Sequence, residues 1–230
     1  MNRWRRLPPG ARTGVGLLLC FLGVLVIVAW RQAPVPPTQG GTLVFEDTFE
    51  RDVPGPDYRQ GEPDPGNPKG TWQIVEGRLK AEKIHNAALW LTKELPPKVR
   101  IEFDARAESA TGDVKAEVFG DGITHQSGYI VIHGGWSNTI TTIARQDEHA
   151  EERKVDNRGC RRGRGQRDAC VEPGVDYHWT IERDGDTVRW FLDGQLVLTY
   201  PDADPVQGRH MAFNNWEAPV SFDNLRIYAL

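Results

Sequence analysis

The densest concentration of groups able to handle a sugar lies between His133 and His149. Gly134-Gly135-Trp136-Ser137-Asn138 sets an aromatic plate beside an amide, directly after His133. Arg145, Glu148 and His149 follow one expected strand later. Asn214-Asn215-Trp216-Glu217 repeats this chemistry near the C-terminus. Sugars present apolar C–H faces and rings of hydroxyl groups. A Trp platform flanked by Asn, Arg, Glu and His can stack on the former and hydrogen-bond the latter. The alternative for each loop is an indole packed over the end of a sheet, with Asn closing a turn.

Acid–base chemistry needs carboxylates gathered on one side of the chain, and three segments offer them. Alternation puts Glu102 and Asp104 on one face, but Arg100 and Arg106 share it, as on an exposed, ion-paired strand. Asp113, Lys115 and Glu117 alternate with Val114, Ala116 and Val118, so a charged row opposes an apolar one. That row could line a groove, where a lyase could use Lys115 beside a His or Tyr, or it could face solvent. Asp147-Glu148 is the third segment. The six His residues form no His-x-His or His-x-x-x-His pair, which leaves no signal for a transition metal. Ser127, Ser137 and Ser221 lack a nucleophile-elbow context, and no Gly-rich phosphate loop precedes a helix.

The elements that must position these groups are strands. Period-2 patterns dominate and helical periodicity is almost absent. Expected strands include Leu43–Phe49, Trp72–Val75, Leu79–Glu82, Ala88–Leu91, Val99–Ala107, Val114–Phe119, Tyr129–His133 and Thr139–Arg145. Tyr177–Arg183, Thr187–Leu192 and Leu196–Tyr200 are separated by Asp184-Gly185 and Asp193-Gly194, which favour the positive φ of tight hairpins, so these three runs read as a meander. Arg209–Phe213 and Val220–Tyr228 finish the chain. Arg51–Lys69 is rich in Pro and Gly, lacks periodicity and reads as a surface loop.

The N-terminus sets the compartment. Thr13–Trp30 is uncharged over eighteen residues and follows Arg3, Arg5, Arg6 and Arg12. As a helix it would span ~27 Å, close to a bilayer's hydrocarbon core. The reading is therefore a basic cytoplasmic tail (1–12), a transmembrane anchor or uncleaved signal (13–31), a Pro/Gly linker (32–41) and a domain (42–230) outside the cytoplasm. A cleavable signal peptide and lipidation at Cys20 are the rival readings. Five of the 28 Lys and Arg residues lie in 1–31, leaving 23 against 32 acids beyond it, a net of −9. An acidic domain argues against nucleic acid as its partner. Cys160 and Cys170 bound an Arg-rich loop and are expected to form a disulfide in an oxidising compartment.

Phe45–Arg51 (FEDTFER), Gly70–Leu79 (GTWQIVEGRL), Val99–Ala107 (VRIEFDARA), Trp190–Leu198 (WFLDGQLVL) and Phe222–Tyr228 (FDNLRIY) occur in an order and spacing that resembles the concanavalin A-like lectin/glucanase superfamily, the laminin-G-like jelly rolls. The stretch from Ser127 to His149 resembles a less-studied bacterial branch of it. The resemblance spans Leu43 to Leu230 and implies an antiparallel jelly-roll β-sandwich, all-β apart from the N-terminal helix, whose first and last strands pair. It also implies a structural Ca2+ near the last strand, with Asp223 and either Glu46 or Asp47 as candidate ligands. The Glu-x-Asp-x-Glu strand of family-16 glycoside hydrolases, with two carboxylates only ~5–5.5 Å apart, is not present.

The expected function is carbohydrate binding by a membrane-anchored, periplasmic or extracellular domain. Its candidate site residues are Lys115, Glu117, His133, Trp136, Asn138, Arg145, Glu148, His149, Asn215 and Trp216. A glycoside hydrolase or polysaccharide lyase on the same fold, and a structural or adhesion module, are the alternatives.

Overall fold

The computed structural model describes residues 35–160 and 169–230. The expected tail and anchor therefore lie outside the described residues. Among the described residues, no helix is long and apolar enough to cross a membrane.

Fifteen strands follow one another: β1 (Thr42–Asp47), β2 (Tyr58–Gln60), β3 (Thr71–Val75), β4 (Arg78–Glu82), β5 (Leu89–Leu91), β6 (Val99–Ala107), β7 (Val114–Gly120) and β8 (Tyr129–Gly134). The remainder are β9 (Ile140–Arg145), β10 (Lys154–Val155), β11 (Asp176–Asp184), β12 (Thr187–Leu192), β13 (Gln195–Pro201), β14 (His210–Asn214) and β15 (Val220–Ala229). They form two antiparallel sheets. One runs β13-β12-β11-β6-β15-β4-β3, with β1 also on β15; the other runs β10-β9-β8-β7-β14-β5-β2. The first and last strands pair as expected, with Phe45 opposite Ile227 and Asp47 opposite Leu225. β15 serves two partners along one edge, β4 over Val220–Phe222 and β1 beyond it. The meander is β11-β12-β13. Both residues of its second turn, Asp193 and Gly194, have positive φ (49° and 74°), as a tight hairpin requires.

Strand alternation builds the core between the sheets. Val99, Ile101, Phe103, Ala105 and Ala107 of β6 are fully buried, as are Ala116 and Val118 of β7. Phe213 of β14 stacks on Phe222 of β15 at 4.4 Å, joining the two layers, and Phe103 stacks on its cross-strand neighbour Trp179 at 5.3 Å. Each such pair adds ~0.5–1.5 kcal/mol beyond its area burial.

Two expectations need correction. Arg51–Lys69 is not wholly a loop, because it contains β2, which pairs with β5. Tyr58 is buried and its hydroxyl donates to Asp47 Oδ2 at 2.7 Å, which draws the segment onto the sheet. A three-residue strand is too short to show a period. The linker is docked from Thr38 onward. Thr38 Oγ1 donates to the buried Glu182 at 3.1 Å, and Arg100 Nη1 donates to the carbonyls of Thr38 and Gly40, each at 2.6 Å. The Cys160–Cys170 disulfide is formed.

Candidate functional site

The outer face of the seven-stranded sheet, turned away from the core, carries a cleft of about 1090 Å³. Its walls come from the 59–65 loop, the 123–126 loop, the turn after β8 and the Trp216-Glu217 loop. Trp136 and Trp216 both line it, at 39% and 38% exposure, whereas Trp90, Trp179 and Trp190 are fully buried.

The Trp136 turn is held open by its backbone. Trp136, Ser137 and Asn138 have φ of 48°, 59° and 66°, three successive left-handed non-glycine residues. Each costs ~1–2 kcal/mol, so the surroundings must enforce the turn. Asn138 supplies that constraint. Its Nδ2 donates to the Val171 and Ala110 carbonyls at 2.7 and 3.2 Å, and its Oδ1 accepts from the Cys170 and Val171 amides. Asn138 therefore holds the loop and does not face the cleft. Arg153 lies over the Trp136 ring at 5.1 Å, and His149 meets it edge-on at 5.3 Å. Trp216 is fixed by its amide, which donates to Asp113 Oδ2 at 2.6 Å, and by His85, edge-on at 5.0 Å.

Beneath the indoles lies a buried polar network on the Asp113-Lys115-Glu117 row. Lys115 is 1% exposed, with its Nζ 2.9 Å from Glu148 Oε2 and donating to Asn86 Oδ1 at 3.0 Å. Burial opposes its charge, but Asp113 and Glu148 outweigh burial and raise its pKa. Asp113 is raised by burial, despite Lys115. Glu148 also feels burial, yet Lys115 overcomes it and holds the carboxyl below its ordinary value. Two carboxyls around one ammonium are thus driven in opposite directions, the arrangement that separates an acid from a base. Glu117 is fully buried and accepts from the Gln126 amide at 2.9 Å and Asn214 Nδ2 at 2.7 Å; His125 Nδ1 lies 2.6 Å away.

Of the expected site residues, Trp136, Lys115, Glu148, His149 and Trp216 line this cleft. Glu117 stands behind His125, and Asn215 is a buried support whose Nδ2 donates to the Asp113 carbonyl at 3.1 Å. His133 is a correction. It alternates with Ile132 onto the core side of β8 and meets Tyr177 and Trp190 edge-on. Burial lowers its pKa to about 4. Arg145 is likewise elsewhere, with Nε donating to Asp202 Oδ2 at 2.9 Å. Asp223 pairs with Arg78 at 3.4 Å and Glu46 with Arg226 at 2.8 Å. Among the described residues, no group of three or more His, Cys, Asp or Glu side chains converges on a metal position. Sequence reading missed Asn86, His125 and the 59–65 wall, which lie far apart along the chain and carry no motif.

No family model matches the sequence, and neither does any curated protein. Solved structures do. A Bacillus licheniformis β-glucanase superposes with a TM-score of 0.58 at 11% identity, covering 84% of this chain and 100% of that one. The carbohydrate-binding module CBM66 from Bacillus subtilis gives 0.56 at 16% identity, over 75% of this chain and 96% of the module. SCLam, a non-specific endo-β-1,3(4)-glucanase of family GH16, gives 0.57 at 12% identity, over 86% and 94%. At these identities the shared property is the fold, an antiparallel jelly-roll β-sandwich.

Proposed function

We propose that residues 42–230 form a glycan-binding domain whose site is the cleft between Trp136 and Trp216. The observation that carries this reading is two half-exposed indoles over a hydrogen-bonding floor, on a fold shared with a carbohydrate-binding module and glucanases. Titrating the soluble 36–230 fragment against a panel of neutral, amino and acidic oligosaccharides tests it. Saturable binding that weakens in Trp136→Ala and Trp216→Ala supports the reading, and no binding to any member refutes it.

Glycoside hydrolysis is the second reading, favoured by two carboxyls, Asp113 and Glu148, that line the cleft together with Lys115. Release of new reducing ends, abolished in Asp113→Asn with binding retained, would establish it over binding alone.

The domain's location is part of the proposal: an anchor over 13–31 holds it outside the cytoplasm. Support comes from the uncharged run behind four arginines and from the disulfide, which persists in oxidising compartments. A periplasm-active reporter at the C-terminus should be active, and activity of a cytoplasm-only reporter would reverse the topology.

A further inference from the structure

One side chain in the cleft is engaged on one edge and unengaged on the other. The His125 side chain is 9% exposed. Its Nδ1 lies 2.6 Å from Glu117 Oε1, whereas its Nε2 is buried and has no hydrogen-bond partner among the described residues. A buried polar atom without a partner is rare and costs ~1–3 kcal/mol, so its persistence asks for a role.

The partners of Glu117 define the state of the ring. Glu117 is fully buried and accepts from two fixed donors, the Gln126 amide and Asn214 Nδ2, with His125 Nδ1 at 2.6 Å from Oε1. An ionised carboxylate only accepts hydrogen bonds. It therefore draws the imidazole proton to Nδ1, which leaves Nε2 of the neutral ring as an acceptor. Asn214 Nδ2, 3.2 Å from Nδ1, is directed at the same Glu117 oxygen at 2.7 Å and does not compete for the ring's proton.

The surroundings restrict what Nε2 can accept. His125 lines the cleft together with Lys115, Glu148 and Asn86. Lys115 is already engaged by Glu148 and Asn86, so the nearest ammonium has its partners. Arg59, also in the lining, donates to the Gly122 carbonyl. Glu62, Asp64, Asp113, Glu148 and Glu217 add carboxyl groups to the walls. Five carboxyl groups against Arg59 and Lys115 disfavour an anionic sugar, whereas a hydroxyl group has Nε2 as an acceptor.

We propose that His125, held as the Nδ1–H tautomer by the positioning residue Glu117, accepts a hydrogen bond at Nε2 from a hydroxyl of a neutral glycan. This deepens the proposed function and rests on it: His125 becomes a ligand contact, and the preferred ligand class is uncharged.

Two measurements test it separately. In the free 36–230 fragment, ¹⁵N-edited spectra of labelled histidine at neutral pH should show His125 neutral, with Nε2 unprotonated. Glu117→Gln should shift it toward the other tautomer, with the fold retained by circular dichroism. A charged ring, or a proton on Nε2 in the unsubstituted fragment, overturns the proposal without any glycan.

The second measurement titrates hexasaccharides of neutral β-glucan, xylan and mannan beside oligogalacturonate. The neutral set should bind more tightly, and His125→Phe should weaken binding about tenfold. Unchanged affinity in a folded His125→Phe, or tighter binding of oligogalacturonate, overturns the proposal while leaving glycan binding intact. Absence of binding to every probe refutes the broader reading as well.

Discussion

At the residue scale, burial separates side chains that look alike in sequence. Trp136 and Trp216 are part-exposed at 39% and 38%, whereas Trp90, Trp179 and Trp190 are fully buried in the core. Trp136→Ala should weaken glycan affinity by ~1–2 kcal/mol with the melting temperature unchanged. A lowered melting temperature with unaltered affinity would make Trp136 a packing residue. Lys115 and Glu148 behave differently, because removing one partner strands a buried charge. Glu148→Gln should cost ~3–5 kcal/mol in urea denaturation, and the double variant with Lys115→Met less than the sum of the two singles.

His133 titrates at about 4 in the fold against 6.5 for the free side chain, because burial disfavours its charge. Between those values the unfolded chain binds more protons. Stability therefore rises with pH across this window and is lost as pH falls through it, by up to ~3 kcal/mol. Urea midpoints measured from pH 4 to 7 should show this slope, and His133→Phe, set among Tyr177, Trp179 and Trp190, should flatten it.

At the element scale, the turn after β8 and the backbone at Cys170-Val171 are one unit. Asn138 makes four hydrogen bonds, three of them to Cys170 and Val171, so the disulfide end and the Trp136 turn brace each other. Asn138→Ala should lower stability by ~3 kcal/mol, by leaving buried amides and carbonyls unpaired. It should also weaken glycan binding, since the left-handed turn loses its enforcement. Reducing Cys160–Cys170 opens the loop that the disulfide closes and should cost ~2–3 kcal/mol, read as a lower urea midpoint in dithiothreitol.

Strands longer than four residues were legible here because alternation repeats enough times to be recognised, as in β6 and the β11-β12-β13 meander. β2 was not, since its three residues are ordered by Tyr58 reaching Asp47 and by pairing with β5. The turn at 136–138 was legible as a loop but not as a left-handed one, because its conformation is imposed by partners more than thirty residues away.

At the scale of the whole molecule, the chain closes on itself through β1 on β15, and the segment just before β1 extends that closure. Thr38 meets Glu182, which is fully buried and also paired with Arg189 at 3.0 Å. A fragment beginning at residue 41 should thus be less stable than one beginning at 36 by ~1–2 kcal/mol, measured by thermal unfolding. The practical consequence is that the domain's stable boundary lies before residue 42, at Thr38 or earlier.

Sequence alone determined the all-β class, the meander, the cysteine pair and the two Trp-Asn loops, and the resemblance implied the pairing of the domain's first and last strands. These follow from local quantities: a two-residue period, Asp-Gly turns and the order of motifs. Only the tertiary structure decided which residues share the cleft. Lys115 and Glu117 stand on β7, His125 on the loop after it, Asn86 before β5 and Glu148 after β9. Contact among them depends on strand order within one sheet, β9-β8-β7-β14-β5. That order is set by side-chain packing between the layers, summed over the whole core, and no short stretch of sequence encodes it. His133 shows the same rule in reverse: one step of alternation away from Ile132, it belongs to the core and not to the site.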